Sequence, residues 1–215
     1  TNTFGVRKPV NLFNNILIDT LYLLALINPI SKISILAVVS PLERDDLSKV
    51  VRKSSLIAGG MLIGIMLSGN FVLVRIFHVR LEALMVAGGF VLSWVGFHAL
   101  RKGMFYEKET HAKFTELAIV PLACPMIAGP ATIAATIALV SQRGQHLSVA
   151  CAVLLAVAIN GLLMQFSRPI AFVLMRFNIL GALIRITGLI VMTIGVQMVL
   201  DGLAKGLFSG QPPLP

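Results

Sequence analysis

Apolar residues in this chain come in long uninterrupted stretches. They neither alternate, as in a strand with one face in water, nor recur every three to four positions, as on a soluble amphipathic helix. Ser54–Val74, Ala83–Leu100 and Leu117–Gln142 contain no Asp, Glu, Lys or Arg at all. A helix needs about 20 apolar residues to cross a hydrocarbon layer ~30 Å thick. The pattern predicts six such spans, near residues 16–39, 54–76, 81–101, 117–140, 148–174 and 178–203. Hydrocarbon offers the backbone no hydrogen-bonding partner, so each span is expected to be helical. The first run exceeds the ~7–15-residue core of a cleaved signal peptide and holds Asn28–Pro29 midway, so it reads as a span. The expected fold is a single all-α membrane domain over residues 1–215.

Polar residues gather between these runs. The stretch 41–53 opens with Pro41, places Glu43, Asp45 and Asp46 early and Lys49, Arg52 and Lys53 late, and so suits the dipole of a short amphipathic helix on the cytoplasmic surface. Residues 101–116 form the one long polar loop. The connections after spans one, three and five hold nine Lys and Arg, and the opposite side holds six. By the positive-inside rule, both termini then lie outside.

Composition sharpens this picture. Of 215 residues, 57% are apolar and 13% charged, against ~25% charged in a soluble domain, which excludes a soluble enzyme. The net charge of +9 is spread between the spans and not gathered on one face, so no nucleic-acid partner is expected. Cys124 and Cys151 both lie in apolar runs, which excludes a disulfide scaffold.

The two halves of the chain resemble each other. A shift of 101 places Pro29 on Pro130, Ala37 on Ala138, Ser40 on Ser141, Gly60 on Gly161, and FVLVR (71–75) on FVLMR (172–176). A shift of 99 aligns Gly89, Gly96 and Gly103 with Gly188, Gly195 and Gly202, glycines whose seven-residue spacing predicts a close helix–helix face. Repeat one covers about 16–103 and repeat two about 117–204. Each holds three spans, an odd number, so the second repeat is inverted relative to the first, the arrangement of many secondary transporters.

Spans one and four hold the chemistry. Pro29, Pro121, Pro125 and Pro130 lack an amide hydrogen and clash with the carbonyl four residues back, so these helices are expected to break near midplane. In hydrocarbon, freed backbone groups are tolerated where they face protein or a cavity. Amides at a half-helix start can hold a carboxylate and carbonyls at a half-helix end an ammonium, which together suit a small zwitterion. Ser31 and Thr132, equivalent under the shift, are candidates to face it; interhelical hydrogen bonding is the alternative for both. Lys32 either snorkels to the cytoplasmic surface or places its ammonium in the cavity. Cys124 and Asn160 are further candidates for the pocket. Arg168–Pro169 predicts a local distortion in span five. All nine acids, among them Asp19 and Asp201, are read as lying in loops or near span ends, which leaves facilitated exchange, Na⁺ on carbonyls, or Lys32 itself for coupling. Ser31 and Lys32 diverge on a helix, and no metal cluster is evident, so no enzymatic activity is expected.

INPI (27–30), PLACPMIAGP (121–130), the basic stretch after span one and VQMVLDGL (196–203) resemble the MarC family of six-span inner-membrane proteins of bacteria and archaea. The resemblance covers essentially the whole chain. It implies a multi-pass protein of the bacterial inner membrane, related to the SnatA-type transporters of small neutral amino acids, glycine and alanine. Asn28, Pro29, Gly129 and Pro130 match the family's two signature breaks. The chain departs from the pattern at Ser31 and Ser34, where glycine and proline are usual, with Lys32 between them, and at Ala131, where glycine is common. Asn28, Pro29, Ile30 and Ser31 at the first break and Ala128, Gly129, Pro130, Ala131 and Thr132 at the second are the candidate substrate-binding residues. The expected function is secondary transport of small neutral solutes, small amino acids such as glycine or alanine foremost, by alternating access of the inverted repeats, with Na⁺ or H⁺ as the candidate coupling ion and no cofactor. A non-transporting scaffold, or transport of a different small solute, is the alternative; a filled apolar contact between the breaks favours the scaffold.

Overall fold

A computed structural model describes residues 12–38, 44–76, 78–105 and 118–208, all helices and short connections. In chain order these are α1 (Leu12–Ile27), α2 (Pro29–Val38), α3 (Arg44–Phe71), α4 (Leu81–Lys102), α5 (Ala118–Ile127), α6 (Pro130–Arg143), α7 (His146–Gln165), α8 (Ser167–Arg176) and α9 (Leu180–Phe208). Five stretches are long and apolar enough to cross a membrane: Leu12–Leu36, Asp45–Gly69, Leu81–Lys102, His146–Gln165 and Leu180–Leu207. Pro130–Ser141 is a shorter apolar helix. The expected first span is therefore α1 and α2, interrupted at Asn28, and the expected fourth is α5 and α6, interrupted at Ala128–Gly129.

Local chemistry accounts for the boundaries. Asp45 and Asp46 stand in the first turn of α3, at the positive end of its dipole. Gly103 and Gly144 end α4 and α6 in the left-handed conformation, their amides returning to the Ala99 and Val140 carbonyls at 2.8 Å each. Pro130 takes the first position of α6, where a missing N–H costs nothing. Span five breaks at Phe166, because Pro169 has no N–H to offer the Gln165 carbonyl. Both α5 and the segment that follows α3, Val72–Ile76, are wound with the wider π-helical turn, and α5 contains Pro121 and Pro125.

Three sequence expectations change. The stretch 41–53 is not a separate helix: from Arg44 it is the first part of α3, with no breaker between it and the apolar run, and Leu47, Val50 and Val51 are buried in the core. Residues 41–43, like most of the 101–116 loop, lie outside the described residues. Asp19 is not at a span end: α1 begins at Leu12, which puts this acid two turns in and 1% exposed. Gly103 takes no part in the glycine face, since it caps α4.

The other glycines behave as their spacing predicts. A Cβ on Gly89 would lie 2.6 Å from the Gly195 carbonyl oxygen, and one on Gly96 2.5 Å from the Met192 amide nitrogen. Cβ atoms on Gly188 and Gly202 would meet the Gly96 and Glu82 carbonyl oxygens at 3.0 and 2.8 Å. The α4 and α9 backbones are thus pressed together along their length, the close approach that missing side chains permit in membranes. The main core lies between α1, α3, α5, α6 and α7, where Leu23, Ile27, Leu62, Leu122, Val149 and Val153 fill the space between alanines. The outward faces carry large apolar side chains, among them Phe90, Trp94, Phe97, Leu189 and Ile190, as lipid contact requires.

Candidate functional site

The first break is built by Asn28, which adopts the left-handed conformation at φ 54° that asparagine tolerates better than most residues. Its amide closes the last turn of α1 on the Leu24 carbonyl at 2.9 Å. Pro29, opening α2, has no N–H for the Ala25 carbonyl. Ser31 donates to the Asn28 carbonyl from both its amide (3.1 Å) and its hydroxyl (2.7 Å), and the Ser34 hydroxyl donates to the Ser31 carbonyl at 2.8 Å. Lys32 does not reach out along α2. It is 2% exposed, and its ammonium turns back to donate to the carbonyl of Ile27, the last residue of α1.

At the second break the wide turn of α5 closes with the Ala128 amide on the Ala123 carbonyl at 2.9 Å. Gly129 is extended, with φ −85° and ψ 166°, and α6 starts at Pro130 with no side chain capping it. The Ile133 amide is the first to find an acceptor in the new helix, the Gly129 carbonyl at 2.9 Å. The amides of Ala131 and Thr132 belong to the turn whose donors have no intrahelical partner and carry the positive end of the dipole.

These two ends meet in one cavity of about 160 Å³, lined from the first break by Asn28, Ser31 and Lys32 and from the second by Gly129, Pro130, Ala131 and Thr132. Val91, Leu92 and Val95 of α4 and Val191 of α9 form its apolar wall. The Asn28 side-chain carboxamide and the Thr132 hydroxyl, on residues 7% and 3% exposed, hydrogen-bond to no protein group among the described residues. The cavity is well below the ~300–1,000 Å³ that drug-sized ligands occupy, so it suits a solute of a few heavy atoms.

A second cavity, of about 290 Å³, lies on the same four elements toward the N-terminal ends of α1 and α4 and the C-terminal ends of α6 and α9. Tyr22, Gln197 and Asp201 give it polar lining, and the Gln197 amide donates to Asp201 at 2.7 Å. About one helical turn separates the two: Thr132 and Ala135 on α6, and Val191 and Ile194 on α9, line one and the other respectively. Gly88 packs α4 onto the start of α6 nearby; a Cβ there would stand 3.2 Å from the Ala131 Cα and the Pro130 oxygen.

A family model described as MarC family integral membrane protein matches residues 13–207. The chain belongs to the MarC family. The MarC chain is 36% identical over 195 residues to a UPF0056 membrane protein of Pyrococcus horikoshii, covering 89% of this chain and 94% of that one. It is 27% identical to a UPF0056 membrane protein of Methanocaldococcus jannaschii, over 96% and 93% of the two chains. With the UPF0056 membrane protein YvbG of Bacillus subtilis it shares 25% identity, over 86% and 92%. No solved structure matches it.

Of the residues singled out in the MarC sequence, Asn28, Ser31, Lys32, Gly129, Pro130, Ala131 and Thr132 line the cavity together. Pro29 and Ala128 shape the two breaks without lining it, and Ile30 packs against the small cluster of Ala99, Phe105 and Ile184. Cys124 is half-buried in α5, and Asn160 is fully buried in α7 with its amide on the Met164 sulfur at 3.2 Å; neither lines the cavity. Sequence reasoning missed Phe105, Met126 and the α4 wall, whose side chains carry no polar signal, and the Tyr22–Gln197–Asp201 cavity, which draws on residues far apart in the chain.

Proposed function

We propose that this MarC protein is a secondary transporter of small carboxylate-bearing solutes, of the size of glycine and alanine, held between the two helix breaks. One observation carries the reading: the negative end of α1 and the positive end of α6 meet across a small cavity lined by two polar side chains, Asn28 and Thr132, that have no protein partner among the described residues. A scaffold needs no such cavity, and an apolar filling of the same volume would hold the helices together at lower cost. No covalent step is required.

The motion we envisage is an exchange of conformation between two inverted halves, 16–103 and 117–204. The packing favours this reading. α1 lies against α7 and α5 against α3; α2 touches α9 and α6 touches α4; α3 meets α7 and α4 meets α9. Exchanging the halves maps each of these contacts onto another or onto itself. The second cavity, one turn away, would be the route to one membrane face. By the positive-inside rule, the excess of Lys and Arg in residues 44–53 and in the loops after spans three and five supports an orientation with both termini outside a plasma membrane.

Purified protein in proteoliposomes tests the proposal. Labelled glycine, alanine, glycolate and lactate would be offered with and without Na⁺ and pH gradients, beside Asn28→Leu and Pro130→Leu liposomes as background. Saturable uptake of any of the four above that background supports transport, and its gradient dependence names the coupling ion. Uptake of none of them overturns the proposal and promotes the scaffold.

A further inference from the structure

The cavity has a built-in cation. A zwitterionic amino acid would need two seats: amides at a helix start for its carboxylate, and carbonyls at a helix end for its ammonium. The first seat is present at the opening turn of α6, beside the Thr132 hydroxyl. The second is occupied at the carbonyl that closes α1. The carbonyl of Ile27, which ends α1, accepts a hydrogen bond from the Lys32 ammonium, and Lys32 itself lines the cavity. The protein's own amine thus stands where a substrate amine would go.

The charge balance points the same way. Lys32 is 2% exposed, and among the described residues no Asp or Glu lies within ion-pair distance of it. Among the described residues no carboxylate lines this cavity; its lining offers the Lys32 amine, the partial positive end of α6 and the neutral donors of Asn28 and Thr132. Lys has three N–H donors, and one goes to Ile27. A buried ammonium is costly without a counter-ion, and intramembrane charges usually pair or mark a solute path. A second ammonium placed beside it would meet like-charge repulsion.

We propose that the cavity takes a small monocarboxylate anion without an amine, with Lys32 as its counter-ion and the α6 amides as its second anchor. This rests on the transport reading above and narrows its substrate class. Lys32 is then a specificity-determining residue: its charge selects anions over zwitterions of the same shape.

Two isosteric pairs make the test clean, because lactate differs from alanine, and glycolate from glycine, by a hydroxyl in place of an ammonium. Half-saturation would be measured for all four in proteoliposomes at neutral pH, with Asn28→Leu liposomes subtracted to remove passive permeation of the free acids. Lactate and glycolate are expected to saturate at concentrations at least ~tenfold lower than alanine and glycine. Lys32→Met, similar in shape without the charge, should abolish that ratio. Lys32→Arg should keep its sign, since the charge remains. If Lys32→Met fails to reconstitute, the wild-type ratio alone decides. Alanine and glycine saturating at or below the concentrations of their hydroxy acids would overturn the anion assignment while leaving transport standing. Silence from all four would remove the transport reading itself.

Discussion

Adding one methyl group should have opposite effects at two glycines of this molecule. At Gly96, a Cβ would stand 2.5 Å from the Met192 amide nitrogen and 2.6 Å from the Gly188 oxygen. Ordinary contact begins at 3.4 Å, so the α4 and α9 backbones must part by about 0.9 Å at that level. The obstacle is backbone, and no side-chain rotation relieves it. Overpacking of this kind costs ~1–3 kcal/mol, against a gain of up to ~1 kcal/mol from replacing glycine in a helix. Taking the middle of the first range and the full helix gain, the net loss for Gly96→Ala is about 1 kcal/mol, or roughly 2–4 °C in melting temperature for a chain this size. Gly60 and Gly64 on α3 are the internal comparison, because a Cβ at either meets nothing within 4 Å. Gly60→Ala and Gly64→Ala keep only the helix gain and should melt unchanged or up to about 4 °C higher. Thermal unfolding of the purified variants in one detergent, followed by far-UV circular dichroism, measures all three. Gly96→Ala melting at or above the wild type would refute the backbone-to-backbone contact of α4 with α9.

The remaining predictions concern the polar groups. Thr132→Val removes a hydroxyl that has no protein partner among the described residues while keeping the side-chain shape; uptake should fall by about tenfold or more with the melting temperature held within ~2 °C. Asn160→Leu exchanges a fully buried amide, whose oxygen has no hydrogen bond, for an apolar side chain of similar size. It should be neutral or stabilising by up to ~1 kcal/mol in thermal unfolding, and leave uptake kinetics unchanged. Gln165→Leu breaks the 2.6 Å hydrogen bond from α7 to Ser48 on α3 and leaves that hydroxyl behind. A loss of about 1 kcal/mol is expected in chemical denaturation.

The parts of the fold visible in the sequence are those with a local cause. Charge-free runs mark the spans, because hydrocarbon excludes charge along a whole segment. Pro29 and Pro130 mark the breaks, because a missing N–H acts within one turn. The glycines at 89, 96, 188, 195 and 202 mark a helix face, because their spacing repeats. What stays hidden depends on partners distant in the chain. Residues 44–53 have the charge order of a surface helix, yet Leu47, Val50 and Val51 sit in the core beneath other spans. Asn160 looks like a polar group for a pocket, and only the packing of α7 removes it from one. Along its own helix Lys32 reads as snorkelling or as facing a cavity; the Ile27 carbonyl to which its ammonium donates belongs to the preceding helix. The site was legible where both breaks announce themselves, and its apolar wall was not, since Val91, Val95 and Val191 look like any lipid-facing residues.

That wall is a single helix thick. Val91, Leu92 and Val95 of α4 face the cavity, while Trp94, 69% exposed, stands on the outward side with its ring 6.4 Å from that of Phe97. Trp94 is also the one tryptophan in the chain. The molecule therefore carries an intrinsic fluorophore on the outer surface of its own cavity wall. Bromine atoms placed at known depths on lipid tails quench such a ring by contact, so a titration with solute can be followed as a change in quenching depth, on native protein and with no label attached.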